Sequence, residues 1–401
     1  MLDYKPNAVV TLPIQDDTVL LNERTGNLVV LNDTSTDLWN RLTAGNSLSQ
    51  AIDDAIELFG EALRPTITAD FTGQVAIWRR DGWLQSSIQG EIQAGNSRTA
   101  QSSNPARLNT ATALPNSRYL FTMSLLGVSL LVATDEPRAQ TLVTQMFEHL
   151  ATTGLVDNDN KESSIDAVLE VKRSGDLWTI QSRNLTLAEG SELGPLLHGQ
   201  VLLQAYALAN EFAAFHAATV SLKESCIVMP GSAGAGKSTL TTALVHSGFG
   251  YCTDELTVLR PGDKQVIPCP INIGLKTGSW PIVSKLVAQL DALPVWRRDD
   301  GQNIRYLRPD ERNIQFSAQT KICIALVFPE FRPLANTRLT SLRCSEALFR
   351  LTNAGYHIKT SVTRQWLSEL IEWLEPLPCY ALEYSELDEA IDALREIMPL
   401  A

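Results

Sequence analysis

The run Gly231-Ser232-Ala233-Gly234-Ala235-Gly236-Lys237-Ser238-Thr239 constrains this chain more than any other stretch. It fits G-x-x-x-x-G-K-[ST], with Gly231, Gly236, Lys237 and Ser238 in the four fixed places. The apolar triplet Ile227-Val228-Met229 leads into it. Leu240, Ala243, Leu244 and Val245 follow at helical spacing until Gly248, so the pattern predicts strand, tight loop and helix in succession. The glycines let backbone N–H groups turn inward around a polyphosphate, and the helix N-terminus adds partial positive charge. Lys237 is then placed to face the β and γ phosphates, and the Ser238 hydroxyl to ligate Mg²⁺. A glycine-rich turn alone would account for the glycines but not for Lys237-Ser238 directly behind them.

An acidic pair, Asp254-Glu255, follows the loop closely in Tyr251-Cys252-Thr253-Asp254-Glu255, ahead of a strand expected over Leu256 to Leu259. This is nearer than the acidic strand of most P-loop ATPases. Before the loop stands Phe215-His216-Ala217-Ala218. The ensemble HAATVSLKESCIVMPGSAGAGKSTLTTALVHSGFGYCTDE resembles the core of HPr kinase/phosphorylase and its related kinases, a group similar in fold to phosphoenolpyruvate carboxykinase. The resemblance implies a kinase with ATP as phosphoryl donor, Mg²⁺ as cofactor and a homo-oligomeric assembly. It makes Asp254 the general base beside the acceptor hydroxyl and His216 the residue that tunes it. Glu255 takes the second acidic place, where HPr kinases usually carry Asp, and joins Ser238 and Asp254 as a metal ligand. A carboxylate of ordinary pKa near 4 is a weak base, which a loose transition state tolerates. A transition-state cation is also required. Lys276, in a small-residue loop soon after this core, is the favoured candidate over Arg305, Arg308 and Arg332.

Composition sets outer limits. The chain has 401 residues, 44% hydrophobic and 19% charged, enough for two or three globular domains. A formal charge of −12 argues against a nucleic-acid partner, since backbone-phosphate binding requires basic patches. No apolar run reaches the roughly 18 residues of a membrane span, and Met1-Leu2-Asp3-Tyr4-Lys5 is not a signal-peptide opening. No membrane partner and a cytoplasmic location are expected. The six cysteines are scattered without a C-x-x-C and read as buried thiols.

Residues 1–88 read as a small domain. Val19-Leu20-Leu21 and Leu28-Val29-Val30-Leu31 flank the turn Asn22 to Gly26, a hairpin signal. Three helices follow. Ser35 or Thr36 is expected to cap the first, with Leu38, Trp39 and Leu42; Ser47 caps the second, with Leu48, Ala51, Ile52, Ala55, Ile56 and Phe59 on one face. Phe71, Val75 and Trp78 mark the third, closed by Asp81-Gly82 and Trp83-Leu84. This order suggests a winged-helix-like α+β domain. The hairpin, Leu38-Trp39 and the closing Arg79 to Leu84 resemble the PqqD-like family, peptide-binding elements of enzymes that modify ribosomally made precursor peptides. The resemblance implies that a leader peptide adds as a strand at the hairpin edge and lies against the third helix. A DNA-binding winged helix would need outward basic residues on that helix, and only Arg79 and Arg80 are present, at its end.

Residues 89–116, rich in Gln, Asn, Ser, Thr and Ala, read as a flexible linker spanning about 30 Å as a coil. Residues 117–401 read as one α/β P-loop kinase domain of HPr-kinase type. Strands are expected over Phe121 to Leu126, Val128 to Ala133, Ile322 to Phe328 and Tyr380 to Tyr384, and a hairpin from Val168 to Ile180. A helix over Leu193 to Ala214 is expected to deliver His216. Further helices begin after Pro137 and near Ser345, Val362 and Leu387, the last with Ser385 and Asp388 as a capping box. Three functions fit: a kinase that phosphorylates a Ser or Thr hydroxyl of a recruited precursor peptide, a nucleotide-gated scaffold presenting that peptide, or a small-molecule kinase of the free-serine type.

Overall fold

The computed structural model describes residues 4–86, 117–152, 165–182, 188–232, 234–359 and 361–398. The expected linker 89–116, and Ala233 within the glycine-rich loop, lie outside the described residues. The chain is mixed α/β with several sheets and divides into two units. Among the described residues no helix is long and apolar enough to cross a membrane.

The first unit holds residues 4–86 together with 343–352 and 361–376. Strands Val9–Ile14, Asp17–Asn22 and Asn27–Leu31 form an antiparallel meander, of which the sequence signal gave only the last two. Tyr4–Pro6 pairs separately with Leu84–Ser86. Helices Asp33–Thr43, Leu48–Phe59 and Arg64–Arg80 follow. The first is capped by Asn32, whose side chain accepts from Ser35 N–H, and not by Ser35 or Thr36 themselves. Ser47 caps the second as expected, in a reciprocal box with Gln50. Trp39 and Trp78 meet edge to face at 5.2 Å in the core of these helices, a contact worth about 1 kcal/mol beyond burial.

The two later stretches of this unit come from within residues 117–401, which were expected as one α/β domain. Their helices, Cys344–Ala354 and Arg364–Leu374, are amphipathic, and the second packs on strand Val9–Ile14. Asp17 is buried and accepts from the Ser345 hydroxyl and from Arg343. The Gln15 side chain accepts from Cys344 N–H, and that of Glu23 from Arg364 N–H.

The second unit is built on a six-stranded sheet in the order Gly250–Thr253, Ala217–Leu222, Ser225–Pro230, Ile322–Phe331, Cys379–Tyr384, Arg338–Ser341. Ser225–Pro230, Ile322–Phe331 and Cys379–Tyr384 run parallel. The first of these reads as an unbroken apolar run because both its faces are buried. Helix Lys237–His246 covers this sheet through Leu240, Ala243 and Leu244.

A five-stranded sheet contains Tyr119–Leu125, Val128–Thr134 and the hairpin Ala167–Ser174/Leu177–Ser182. Strands Ile273–Lys276, Asn303–Leu307 and Trp296–Arg297 make a small third sheet. The helix expected to reach Ala214 ends at Leu208, and Ala213–Phe215 is a fully buried strand paired on both sides. The last helix, Leu387–Glu396, has no side-chain cap; the Ser385 hydroxyl donates to Ala335 O instead. All six cysteines are buried thiols.

Candidate active site

The strand Ser225–Pro230 delivers the glycine-rich loop to the edge of a cavity of about 1290 Å³ within the second unit. Gly234 and Gly236 take φ of +91° and +89°, the left-handed region that a side chain makes costly. A Cβ on Gly236 would also lie 2.6 Å from Tyr384 Oη. The loop therefore needs glycine there twice over, for its turn and for the aromatic wall behind it. Ser232, Gly234, Gly236, Lys237, Ser238 and Thr239 all line the cavity.

Lys237 is 7% exposed. Its ammonium donates to Gly231 O, to Ser232 O at 3.4 Å and to His216 Nε2 at 3.3 Å. Burial holds its pKa below the ordinary lysine value, while the charges of Glu255 and Asp254 oppose that shift. His216 sits at the end of strand Ala213–Phe215, its Nδ1 3.2 Å from Glu255 O. Burial, and then the charge of Lys237, push its pKa down.

Asp254 follows strand Gly250–Thr253 and is 3% exposed. It accepts from Tyr251 Oη at 3.1 Å, from Gly274 N–H at 3.2 Å and from the Ser238 hydroxyl. Burial, and then the neighbouring Glu255, push its pKa up to about 7, since these hydrogen bonds offset only part of the desolvation. This corrects the expected value near 4. Glu255 lines the same cavity.

Of the four basic candidates, Lys276 reaches the cavity. Arg305 is held by Asp291 and stacked on Trp280, Arg308 pairs with Glu148, and Arg332 pairs with Glu330 and Glu383. Sequence reasoning missed four residues. Tyr251 steadies Asp254. His198, Tyr306 and Arg298 line the cavity from the helix Leu193–Leu208 and the small sheet. The doubled arginine of Trp296-Arg297-Arg298 was the available signal for the last; His198, inside an apolar helix, gave none.

Comparison with known proteins bears mainly on the first unit. Residues 17–84 match the family described as coenzyme PQQ synthesis protein D (PqqD), so the chain carries a PqqD-like domain in its N-terminal part. No curated protein matches. Among solved structures, TbiB1 in complex with the TbiA(beta) leader peptide is 26% identical, covering 22% of this chain and 99% of that one at a TM-score of 0.19. The Hpr(Ser) kinase/phosphatase from Coxiella burnetii is 9% identical, covering 46% of this chain and 97% of that one at a TM-score of 0.22. At such TM-scores neither likeness bears on the fold.

Proposed function

We propose that the protein is an ATP-dependent kinase that docks a ribosomally made precursor peptide on its PqqD-like domain and phosphorylates a Ser or Thr hydroxyl in it. The carrying observation is the convergence on one cavity of Lys237, at a glycine-rich helix N-terminus, with the buried carboxylate Asp254 beside Ser238.

The chain's own groups divide the work. Loop N–H groups and Lys237 hold the β and γ phosphates and offset their charge. Asp254 takes the hydroxyl proton as the new oxygen–phosphorus bond forms and the β–γ bridging bond breaks, its electron pair leaving with ADP. His216 keeps Lys237 aimed. Lys276 is the cation for the developing charge. Ser238, Asp254 and Glu255 are hard oxygen donors that fit Mg²⁺, which takes one or two carboxylates plus phosphate oxygens and waters. When bound, such an ion would offset negative charge on the transferring phosphoryl group.

For the peptide, strand Asn27–Leu31 pairs with one neighbour only among the described residues, which leaves an edge for an added strand. The family match supports this docking role. The test is Asp254→Asn: Mg-ATP should still bind by calorimetry, while phosphorylation of the precursor falls about 10²-fold or more. Transfer at the parental rate would refute Asp254 as base.

A further inference from the structure

The cavity has a second polar wall that phosphate binding does not use. His198, 6% exposed, stacks its ring on Tyr306 with centroids 4.4 Å apart and planes 21° apart. Its Nε2 lies 3.0 Å from Asn272 O. A carbonyl can only accept, so Nε2 carries the proton and Nδ1 presents a lone pair. Burial and the charge of Arg298 keep the ring from taking a second proton, against the pull of Glu255. Neither His198 Nδ1 nor Tyr306 Oη has a hydrogen-bond partner among the described residues, and neither is sealed from solvent. Both residues line the cavity.

This wall adjoins the proposed base. Tyr306 pairs across the small sheet with Gly274, whose N–H donates to Asp254. Tyr306 Cε1 would lie 3.9 Å from a Cβ on Gly274. The aromatic wall behind the glycine-rich loop, Phe331 and Tyr384, is formed by other strands. Two polar groups therefore line the cavity next to Gly274, the residue whose N–H holds Asp254: one able to accept and one able to donate.

We infer that His198 and Tyr306 form the acceptor subsite and that it selects a peptide amide next to the reacting hydroxyl. Nδ1 takes an amide N–H and Tyr306 Oη donates to an amide carbonyl. This rests on the kinase reading and deepens it: the substrate class is a hydroxyl within a peptide, not a free hydroxy amino acid.

The test uses the full-length protein with Mg-ATP and two acceptors, acetyl-Ala-Ser-Ala-amide and free L-serine, in wild type and in Tyr306→Phe. That variant keeps the stack and removes only the hydroxyl. The wild type should favour the tripeptide by about tenfold or more in kcat/KM. Tyr306→Phe should lose about tenfold on the tripeptide, through KM, with KM for ATP unchanged. Equal use of serine and tripeptide, or an unchanged KM in the variant, overturns the subsite while leaving the kinase reading intact. Transfer to neither acceptor nor to a full-length precursor overturns both. In ¹⁵N-histidine-labelled wild type, the Nδ1 resonance of His198 should move on adding tripeptide and stay put with ADP; the reverse pattern would assign this wall to the nucleotide.

Discussion

His216 Nε2 lies 3.3 Å from Lys237 Nζ, and its Nδ1 lies 3.2 Å from Glu255 O. The carbonyl can only accept, so the imidazole is the neutral tautomer with Nδ1–H donating and Nε2 accepting from the ammonium. Histidine thus acts on the lysine, holding it against the loop. His216→Leu should slow phosphoryl transfer by about 10²-fold, the scale of a misplaced reacting group. Single-turnover kinetics checks this, and an unchanged rate would make His216 a structural residue only.

Gly236→Ala should damage the loop twice, through about 1–2 kcal/mol of left-handed strain and through the collision with Tyr384 Oη at 2.6 Å. Tyr384→Phe removes the struck atom, so the double variant should recover part of the lost stability and nucleotide affinity. Urea unfolding and calorimetry read the coupling. Strictly additive losses would contradict the packing described.

In an antiparallel pair, alternate residues turn their N–H toward the partner strand and away from it. Of Val29 and Val30 on strand Asn27–Leu31, one therefore presents its N–H outward. Proline there should raise KM for a full-length precursor by about tenfold or more with kcat kept, whereas proline at the other position should destabilise the sheet. An unaltered KM in both variants would remove this edge as the docking site. Deleting residues 4–86 is a poorer test, because residues 343–352 and 361–376 belong to the same compact unit.

The His149 Nε2 donates to Pro270 O at 2.9 Å, and its Nδ1 is buried without a partner among the described residues. Burial, helped by Arg308, pushes its pKa down to about 4. The unfolded chain takes up a proton near pH 6.5 that the folded state refuses. Stability present above 6.5 is therefore lost as pH falls toward 4, by up to about 3 kcal/mol. Glu211, pushed up to about 7 by burial, works in the opposite sense, so the comparison must be with His149→Asn at each pH. Relative to wild type, that variant should gain stability between pH 7 and 4; a flat difference would contradict the buried neutral imidazole.

The loop, its strand and its helix were legible because local rules agree there: an apolar run, glycines where φ is positive, and Lys237 at a helix start. Ser47 was readable for the same reason. What escaped depends on distant partners. Ala213-Ala214-Phe215 extends a helical pattern by composition, and only pairing on both sides makes it a strand. Asn32 outcompeted Ser35 as a cap through its own local geometry. The raised pKa of Asp254 comes from burial, which no spacing encodes, and His198 gains meaning only when Tyr306 is folded against it.

The central claim is phosphoryl transfer at Lys237 and Asp254. Its most direct measurement is incubation of the full-length protein with γ-labelled Mg-ATP and a precursor peptide that binds its PqqD-like domain, followed by mass spectrometric location of the label. Label on a Ser or Thr side chain with wild type, and none with Lys237→Ala, is the predicted result. Unlabelled peptide despite demonstrated nucleotide binding, or equal labelling by the variant, would contradict it.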